Sequence, residues 1–139
     1  MKLKSLQIAL TLSTLVCLSS TSALGHDQQD AMAEGPKLEN LMRAMLEGVE
    51  GTEIIVSRVT IPPNSSLPKH FHPGEEIAYV LKGTVTLWQD GKEDTVGTEG
   101  MVLKVPFKQV HTALTSEDGG TVLVFRIHEK GQPERILID

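Results

Sequence analysis

Cysteine is almost absent from this sequence, which has only Cys17 among its 139 residues. One cysteine forms no disulfide within the chain, so a scaffold held together by internal disulfides is excluded. The sequence also lacks a Gly-x-Ser-x-Gly motif, the strained turn that exposes the serine nucleophile of many hydrolases. Since Cys17 itself lies in a segment that we expect to be removed, any catalysis should depend on a metal ion.

Long apolar runs are missing as well. The longest run, residues 6–18, is interrupted by Gln7 and is shorter than the roughly 20 residues that a membrane-spanning helix needs. It follows Lys2 and Lys4 and precedes several small residues, a pattern typical of a secretory signal peptide. We predict a signal peptide at residues 1–25, an exported protein that is periplasmic or secreted, and no stable membrane insertion after cleavage. An uncleaved anchor is the alternative.

Basic residues are outnumbered, with 13 lysines and arginines against 18 acidic residues and a net charge of -5. Loss of the signal peptide would remove Lys2 and Lys4 and no acid, so the mature chain would be more acidic still. Proteins that bind nucleic acid carry a basic surface that neutralises phosphates. Nucleic acid is therefore excluded as a partner, and a small molecule is the expected ligand.

The start of the mature chain is polar and has no apolar periodicity at residues 26–36. We predict a flexible lead-in there and a single folded domain at residues 37–139. Near the start of this domain, apolar residues recur at a spacing that suits a short helix ended by Gly48: Leu38, Leu41, Met42, Met45 and Leu46. The run is so short that a strand fits nearly as well. Both interpretations stay open.

From residue 52 onward the sequence alternates between short β-type runs and turn residues. We predict strands at residues 52–61, 77–82, 84–89, 92–96, 101–105, 110–114 and 121–128. Asp90-Gly91 predicts a two-residue hairpin between the third and fourth of these strands. Short strands at regular intervals without long helical patterns indicate an all-β sandwich or barrel.

Several of the predicted strands are apolar on both faces, among them the strand at residues 77–82. Ile77, Tyr79 and Leu81 would share one face, and Ala78 and Val80 would share the other. Because a small antiparallel sheet normally exposes one face to water, something should cover the outer face. We predict a homodimer. The alternative is that the N-terminal segment folds back over this face.

The run His70-Phe71-His72-Pro73-Gly74-Glu75-Glu76 carries candidate metal ligands. Two histidines separated by one residue point to the same face of a strand, so both imidazoles can reach one ion. Glu76 and the distant His111 would complete a set of three nitrogens and one oxygen, which first-row divalent metals accept. Glu75 competes with Glu76 as the carboxylate ligand.

Two spaced patterns resemble the two motifs of the cupin superfamily: His70-x-His72-x3-Glu76-x6-Gly83 and Gly100-x5-Pro106-x4-His111. With their strands they cover roughly residues 52–128. The resemblance implies an all-β, single-domain cupin β-barrel, a double-sheet jelly roll, with a metal inside it and frequent dimerisation. It also implies that His70, His72, Glu76 and His111 are the metal ligands, with Glu76 favoured over Glu75.

The chain departs from the family's pattern at three positions. Asn64 and Lys108 stand where the motifs usually have glycine, and Thr115 stands where asparagine is common. Asparagine tolerates a left-handed backbone better than most residues, so the first turn can survive. None of the three positions is a ligand. Only the shape of the loop at residues 107–110 is affected.

Four protein ligands would leave one or two positions open on an ion that prefers five or six. We expect a divalent first-row metal, with iron or manganese favoured and zinc, nickel or copper as alternatives. The predicted function is a metal-dependent, dioxygenase-like enzyme acting on a small oxygenated organic substrate. The alternatives are a non-catalytic cupin that binds a metal or small ligand, and a metal-dependent isomerase.

Residues elsewhere in the domain bear on the pocket. Ala78, Val80 and Val105 suggest an apolar lining. Arg58 and Arg126 are the two positions that could contribute a charge to it. His128 lies outside both motifs and is expected to be structural or exposed.

Overall fold

A computed structural model describes residues 35–138 of the protein. The predicted signal peptide and most of the predicted lead-in lie outside the described residues. Residues 35–138 contain eight strands: β1 (Lys37–Met45), β2 (Thr52–Ile61), β3 (His70–Phe71), β4 (Gly74–Gln89), β5 (Thr95–Thr98), β6 (Val102–Val105), β7 (His111–Glu129) and β8 (Ile136–Leu137). The predicted all-β class is confirmed. Residues 35–138 form no helix that could cross a membrane.

Two long strands organise the sheet. β4 and β7 pair antiparallel along almost their whole length. β2 joins the second half of β7 and β1 joins β2, while β3 links the start of β7 to β8. β5 and β6 pair with opposite halves of β4. The sheet curls around a common interior, as expected for the double-sheet jelly roll predicted from the sequence.

The breaks predicted within β4 and β7 are wrong. Gly83 was expected to separate two strands, but β4 continues through it with irregular pairing on both sides. Gly83 has a φ of 75°, and a Cβ placed on it would lie 2.3 Å from the carbonyl oxygen of Gly119 in β7. Glycine therefore lets the two strands bend together at close range without separating.

Both long strands change the parity of their cavity-facing positions at this bend. In β4 the buried residues are even-numbered before Gly83 and odd-numbered after it. In β7 the order is reversed, with His111 and Ala113 facing the cavity before the bend and Val122 and Val124 after it. Together with β2 and β6, these strands enclose the hydrophobic core inside the barrel.

The Asp90-Gly91 turn is present, but the strand after it starts later than predicted. The amide of Lys92 donates to the carbonyl of Gln89 at 3.1 Å, which closes the turn. Pairing with β4 resumes only at Thr95. The polar residues between the turn and Thr95 are exposed and therefore have no apolar face to hold them against the sheet.

β1 resolves the open choice between helix and strand at the start of the domain. Residues Lys37–Met45 form a strand that pairs antiparallel with β2 along its whole length, with an irregularity at Leu41. All nine residues are exposed. The backbone hydrogen bonds offered by β2 thus decide the conformation, because a helix at this position would have had no surface to bury its apolar side.

The outer face of β4 is open to solvent in the single chain. Tyr79 is 41% exposed and Leu81 is 37% exposed, and Tyr79 lies beside the exposed Val102 of β6. These residues form the apolar outer face expected from the sequence. The homodimer that would cover them stays a prediction.

Candidate metal centre

Three buried imidazoles meet at one end of the barrel. His70 belongs to β3, His72 follows β3 directly, and His111 begins β7 opposite His70. Their ring centroids are 4.4 to 5.2 Å apart. One nitrogen from each ring can be chosen so that all three lie within 4.8 Å of one another. The three rings therefore form a group that could hold a metal ion.

Backbone carbonyls fix the orientation of all three rings. Each Nδ1 atom lies at hydrogen-bond distance from a main-chain oxygen: His70 from Pro68 at 2.7 Å, His72 from Glu134 at 2.5 Å and His111 from Gln109 at 2.9 Å. A carbonyl oxygen only accepts, so each Nδ1 carries the proton and donates it. The Nε2 atoms are then left as lone-pair donors, the tautomer that binds metals.

Glu76 lies beside these nitrogens. Its Oε2 is 2.9 Å from Nε2 of His72 and its Oε1 is 3.8 Å from Nε2 of His111. Despite the short distance, Nε2 of His72 is buried and forms no hydrogen bond with acceptable geometry to any described residue. A buried polar atom normally has a partner, and a cation between the imidazoles and the carboxylate would provide one. The residues present therefore fit a divalent metal.

Electrostatics hold these groups in the protonation states that bind metals. Burial lowers the pKa of His70 to about 4 and also lowers the pKa of His111. Burial alone would raise the pKa of Glu76, but the neighbouring His72, followed by His111 and Arg126, outweighs burial and lowers that pKa to about 2. At neutral pH the rings of His70 and His111 are therefore neutral and Glu76 is ionised.

Arg126 is the buried cation of the site. Its side chain is 3% exposed, and its Nε lies 3.2 Å from Oε2 of Glu76. Its Nη1 lies 3.3 Å from Oε2 of Glu134. Arg126 was one of two arginines expected to bear on the pocket. The other, Arg58, pairs instead with Glu39 at 3.1 Å on the surface.

The remaining residues considered from the sequence lie outside the centre. Glu75 points away from the imidazoles and pairs with the exposed Lys104 at 3.1 Å. His128 is fully buried, and its Nε2 lies 3.0 Å from the carbonyl oxygen of Pro133, which suits a structural role. The four predicted ligands thus lie together, and the competing carboxylate lies apart from them.

Sequence reasoning missed Glu134, whose backbone and side chain both reach the centre. It lies between β7 and β8, and its carbonyl oxygen approaches the ring of His72, which is 62 residues earlier in the chain. No motif or periodicity surrounds it. Only the return of the C-terminal segment across the barrel brings it to the site.

A cavity of about 400 Å³ extends from the imidazoles into the barrel. Its walls are mainly aliphatic, with Val85, Leu103 and Val122 among the lining side chains. Ala78 and Val105 line it as expected, whereas Val80 is buried in the core without lining it. The exposed lining residues, such as Lys37 and Arg135, mark the opening. The site is the polar end of an otherwise apolar chamber.

The sequence model of the cupin domain family matches residues 57–127. This range is about half of the chain and includes all four candidate ligands. This chain belongs to the cupin family. No curated protein matches it significantly. The predicted resemblance and the predicted barrel fold are thereby confirmed.

Solved structures with the same fold come from several organisms. The DMSP lyase DddQ from Ruegeria pomeroyi has a TM-score of 0.62 and 22% identity, over 84% of this chain and 56% of that one. A cupin-like protein from Thermotoga maritima has a TM-score of 0.61 and 23% identity, over 76% and 77%. An RmlC-like cupin from Methanocaldococcus jannaschii has a TM-score of 0.58 and 19% identity, over 71% of this chain and 85% of that one.

These identities show a shared fold. The chain spans little more than half the length of the lyase. The cupin motif positions that lack glycine keep the backbone that glycine would favour, since φ is 50° at Asn64 and 56° at Lys108. Thr115 replaces the usual asparagine and donates its hydroxyl to the carbonyl of Pro62 at 2.5 Å. Asn64 and Lys108 thus adopt the left-handed backbone without being glycine.

Proposed function

We propose that this cupin binds a divalent first-row metal ion through His70, His72, Glu76 and His111. We further propose that it acts as a metal-dependent, dioxygenase-type enzyme on a small oxygenated organic molecule. The observation that carries the proposal is the set of three Nε2 lone pairs, each fixed by a carbonyl bond at Nδ1, at the polar end of an apolar cavity.

The protein's own residues would prepare this chemistry. Four ligands would leave one or two coordination positions facing the cavity, where a bound iron or manganese ion would supply redox chemistry with dioxygen. Arg126 keeps Glu76 ionised, and the carbonyl bonds keep the imidazoles oriented. Both effects reduce the reorganisation needed when a ligand enters.

The cavity indicates the class of substrate. Its volume of about 400 Å³ falls within the range of about 300–1,000 Å³ typical of small-molecule sites. Aliphatic walls suit an apolar body, and the inner end of the cavity carries the imidazoles. We therefore propose a phenol, an enol or a dicarbonyl that points its oxygen atoms towards the metal.

A second candidate is a lyase, because the fold resembles that of the DMSP lyase DddQ. A lyase would use the same site without consuming oxygen. Glu134 is the one carboxylate besides Glu76 among the described residues that line the cavity, and it is already paired with Arg126. Few groups are thus available for proton transfer away from the metal, which favours the first candidate.

Metal analysis of the purified protein tests the site. We expect about one equivalent of a first-row ion, retained by Glu75→Gln and lost from His72→Ala, His111→Ala and Glu76→Gln. The glutamate pair is a matched control, since the two positions are neighbours and only one faces the imidazoles. Full metal retention by both histidine variants would refute the site.

Oxygen consumption tests the reaction. Iron-loaded and manganese-loaded protein would be assayed with catechols, flavonols and dicarbonyls, and DMSP cleavage would be assayed in parallel. Oxygen uptake supports the dioxygenase, whereas DMSP cleavage without uptake supports the lyase. Thermal shifts by ligands without turnover would instead support a binding protein. The proposed export is tested separately by determining the N-terminal residue of the mature protein.

A further inference from the structure

The C-terminal segment between β7 and β8 brings Glu134 to the metal centre through two different groups. Its carbonyl oxygen accepts from Nδ1 of His72. Its carboxylate lies 3.3 Å from Nη1 of Arg126, and Arg126 in turn lies 3.2 Å from Glu76. One residue therefore supports two of the four candidate ligands, one directly and one through an arginine.

The chain on both sides of Glu134 is anchored to the barrel. Before it, the carbonyl of Pro133 lies 3.0 Å from Nε2 of the buried His128. After it, β8 pairs with β3, the strand that carries His70. The second carboxylate oxygen of Glu134 accepts from Asn40 at 3.1 Å and pairs with Arg43, both in β1. Its position is thus set by contacts with three separate parts of the fold.

The carboxylate of Glu134 gives Arg126 a second anionic partner beside Glu76. If Glu76 were the only anion beside this buried guanidinium, the ion pair between them would compete with any metal for the same oxygen, Oε2. A second carboxylate on Nη1 supplies part of the compensation that Arg126 needs. The ion pair between Glu76 and Arg126 is then weaker, and Glu76 binds the metal ion more readily.

We propose that Glu134 is a positioning residue of the metal centre, whose carboxylate pairs with Arg126 and so leaves Glu76 free to bind the ion. The proposal rests on the proposed metal binding. Supporting residues of this kind typically change metal affinity by about 10- to 100-fold when they are replaced. Glu134 is 27% exposed at its side chain, so an isosteric replacement should not prevent folding.

The test compares Glu134→Gln with Glu39→Gln in the full-length protein. Glu39 is a matched control, because it also pairs with an arginine, Arg58, but both side chains are about half exposed and lie in β1 and β2. Cobalt(II) is the probe, since its visible spectrum reports the number and geometry of its ligands. We expect Glu134→Gln to weaken cobalt binding by about tenfold or more and to change the spectrum, and Glu39→Gln to do neither.

A second readout needs no metal. In the metal-free protein, the Nε–H group of Arg126 should give a protected NMR signal, because it is buried against Glu76. We expect Glu134→Gln to shift this signal, and Glu134→Asp, which keeps the charge, to restore most of it. The signal of Arg58 serves as the internal reference.

The two readouts separate the two proposals. Wild-type protein that takes up no cobalt would refute the metal site, while the Arg126 signal would still decide the role of Glu134. An unchanged Arg126 signal in Glu134→Gln overturns that role, whether or not cobalt binding changes, because the carboxylate would then not be positioning the arginine. Unchanged cobalt affinity and spectrum in a protein that binds cobalt would overturn it as well.

Discussion

Replacing Arg126 with methionine tests the electrostatics of the centre most directly. Methionine keeps an unbranched apolar stem but removes the charge, so Glu76 would stay buried without its cation. The change that costs the least free energy is protonation of Glu76, which removes the unpaired buried charge. A pH of 7 is about 2.5 units above the ordinary pKa of this carboxyl, 4.5. Protonating the carboxylate costs about 1.4 kcal/mol for each of these units. We therefore expect Arg126→Met to lose about 3 kcal/mol of unfolding free energy.

This loss should be large beside its surface counterpart. Arg58 forms an exposed pair with Glu39, and exposed pairs contribute about 0–1 kcal/mol. Arg58→Met is therefore the matched control. The loss in Arg126→Met should also shrink at pH 5 to about 1 kcal/mol or less, because protonation of Glu76 costs little there. A total stability of about 5–15 kcal/mol leaves room to measure both variants.

Urea unfolding of the metal-free proteins provides the assay, with the fluorescence of the single tryptophan, Trp88, as the signal. Adding Glu76→Gln to Arg126→Met should recover most of the lost stability, since an amide needs no counter-ion. The reasoning is refuted if Arg126→Met costs no more than Arg58→Met at pH 7, or if its cost is independent of pH.

Three further predictions follow from other parts of the fold. Gly83→Ala should destabilise the protein by at least about 2 kcal/mol, since both strain and a backbone clash oppose it. Gly91→Ala is the control, since Gly91 has a φ of 73° but no atom near an added Cβ, and it should cost about 1 kcal/mol. Equal urea midpoints for the two variants would contradict the clash at Gly83. The metal-free protein should lose stability as the pH falls from 6.5 to about 4, because the unfolded chain protonates His70 while burial keeps the folded ring neutral; His70→Gln should flatten this part of a stability profile. Tyr79→Glu should convert the predicted homodimer to monomers in sedimentation velocity, and a monomeric wild type would contradict the dimer.

The sequence predicted well how the candidate ligands are placed, because the placement of three of them depends on local periodicity. His70 and His72 face one side through the two-residue period of an extended chain, and Glu76 lies inward while Glu75 does not for the same reason. His111 needed the family pattern, since its pairing with His70 joins distant parts of the chain. The metal assignment of all four stays a prediction.

Other features could not be predicted because tertiary contacts determine them. Glu134 reaches the centre only after the C-terminal segment has paired β8 with β3. The lengths of β4 and β7 were missed because Gly83 bends the ladder instead of ending it. The conformation of β1 depended on the hydrogen bonds offered by β2, which no apolar spacing within residues 37–45 could reveal.

The parity change in β4 and β7 constrains how the lengths of these strands can evolve. Deleting one residue from β4 between Gly83 and Val85 would turn Val85 and Leu87 to the outside and bring their neighbours into the cavity. Deleting two consecutive residues from the same strand would leave the facing of the remaining side chains unchanged and shorten the barrel. We expect length differences among homologous cupins to occur in pairs within these strands and to take any value in the loops. Sequence alignments should therefore place no single-residue gap in β4 or β7, the bend included.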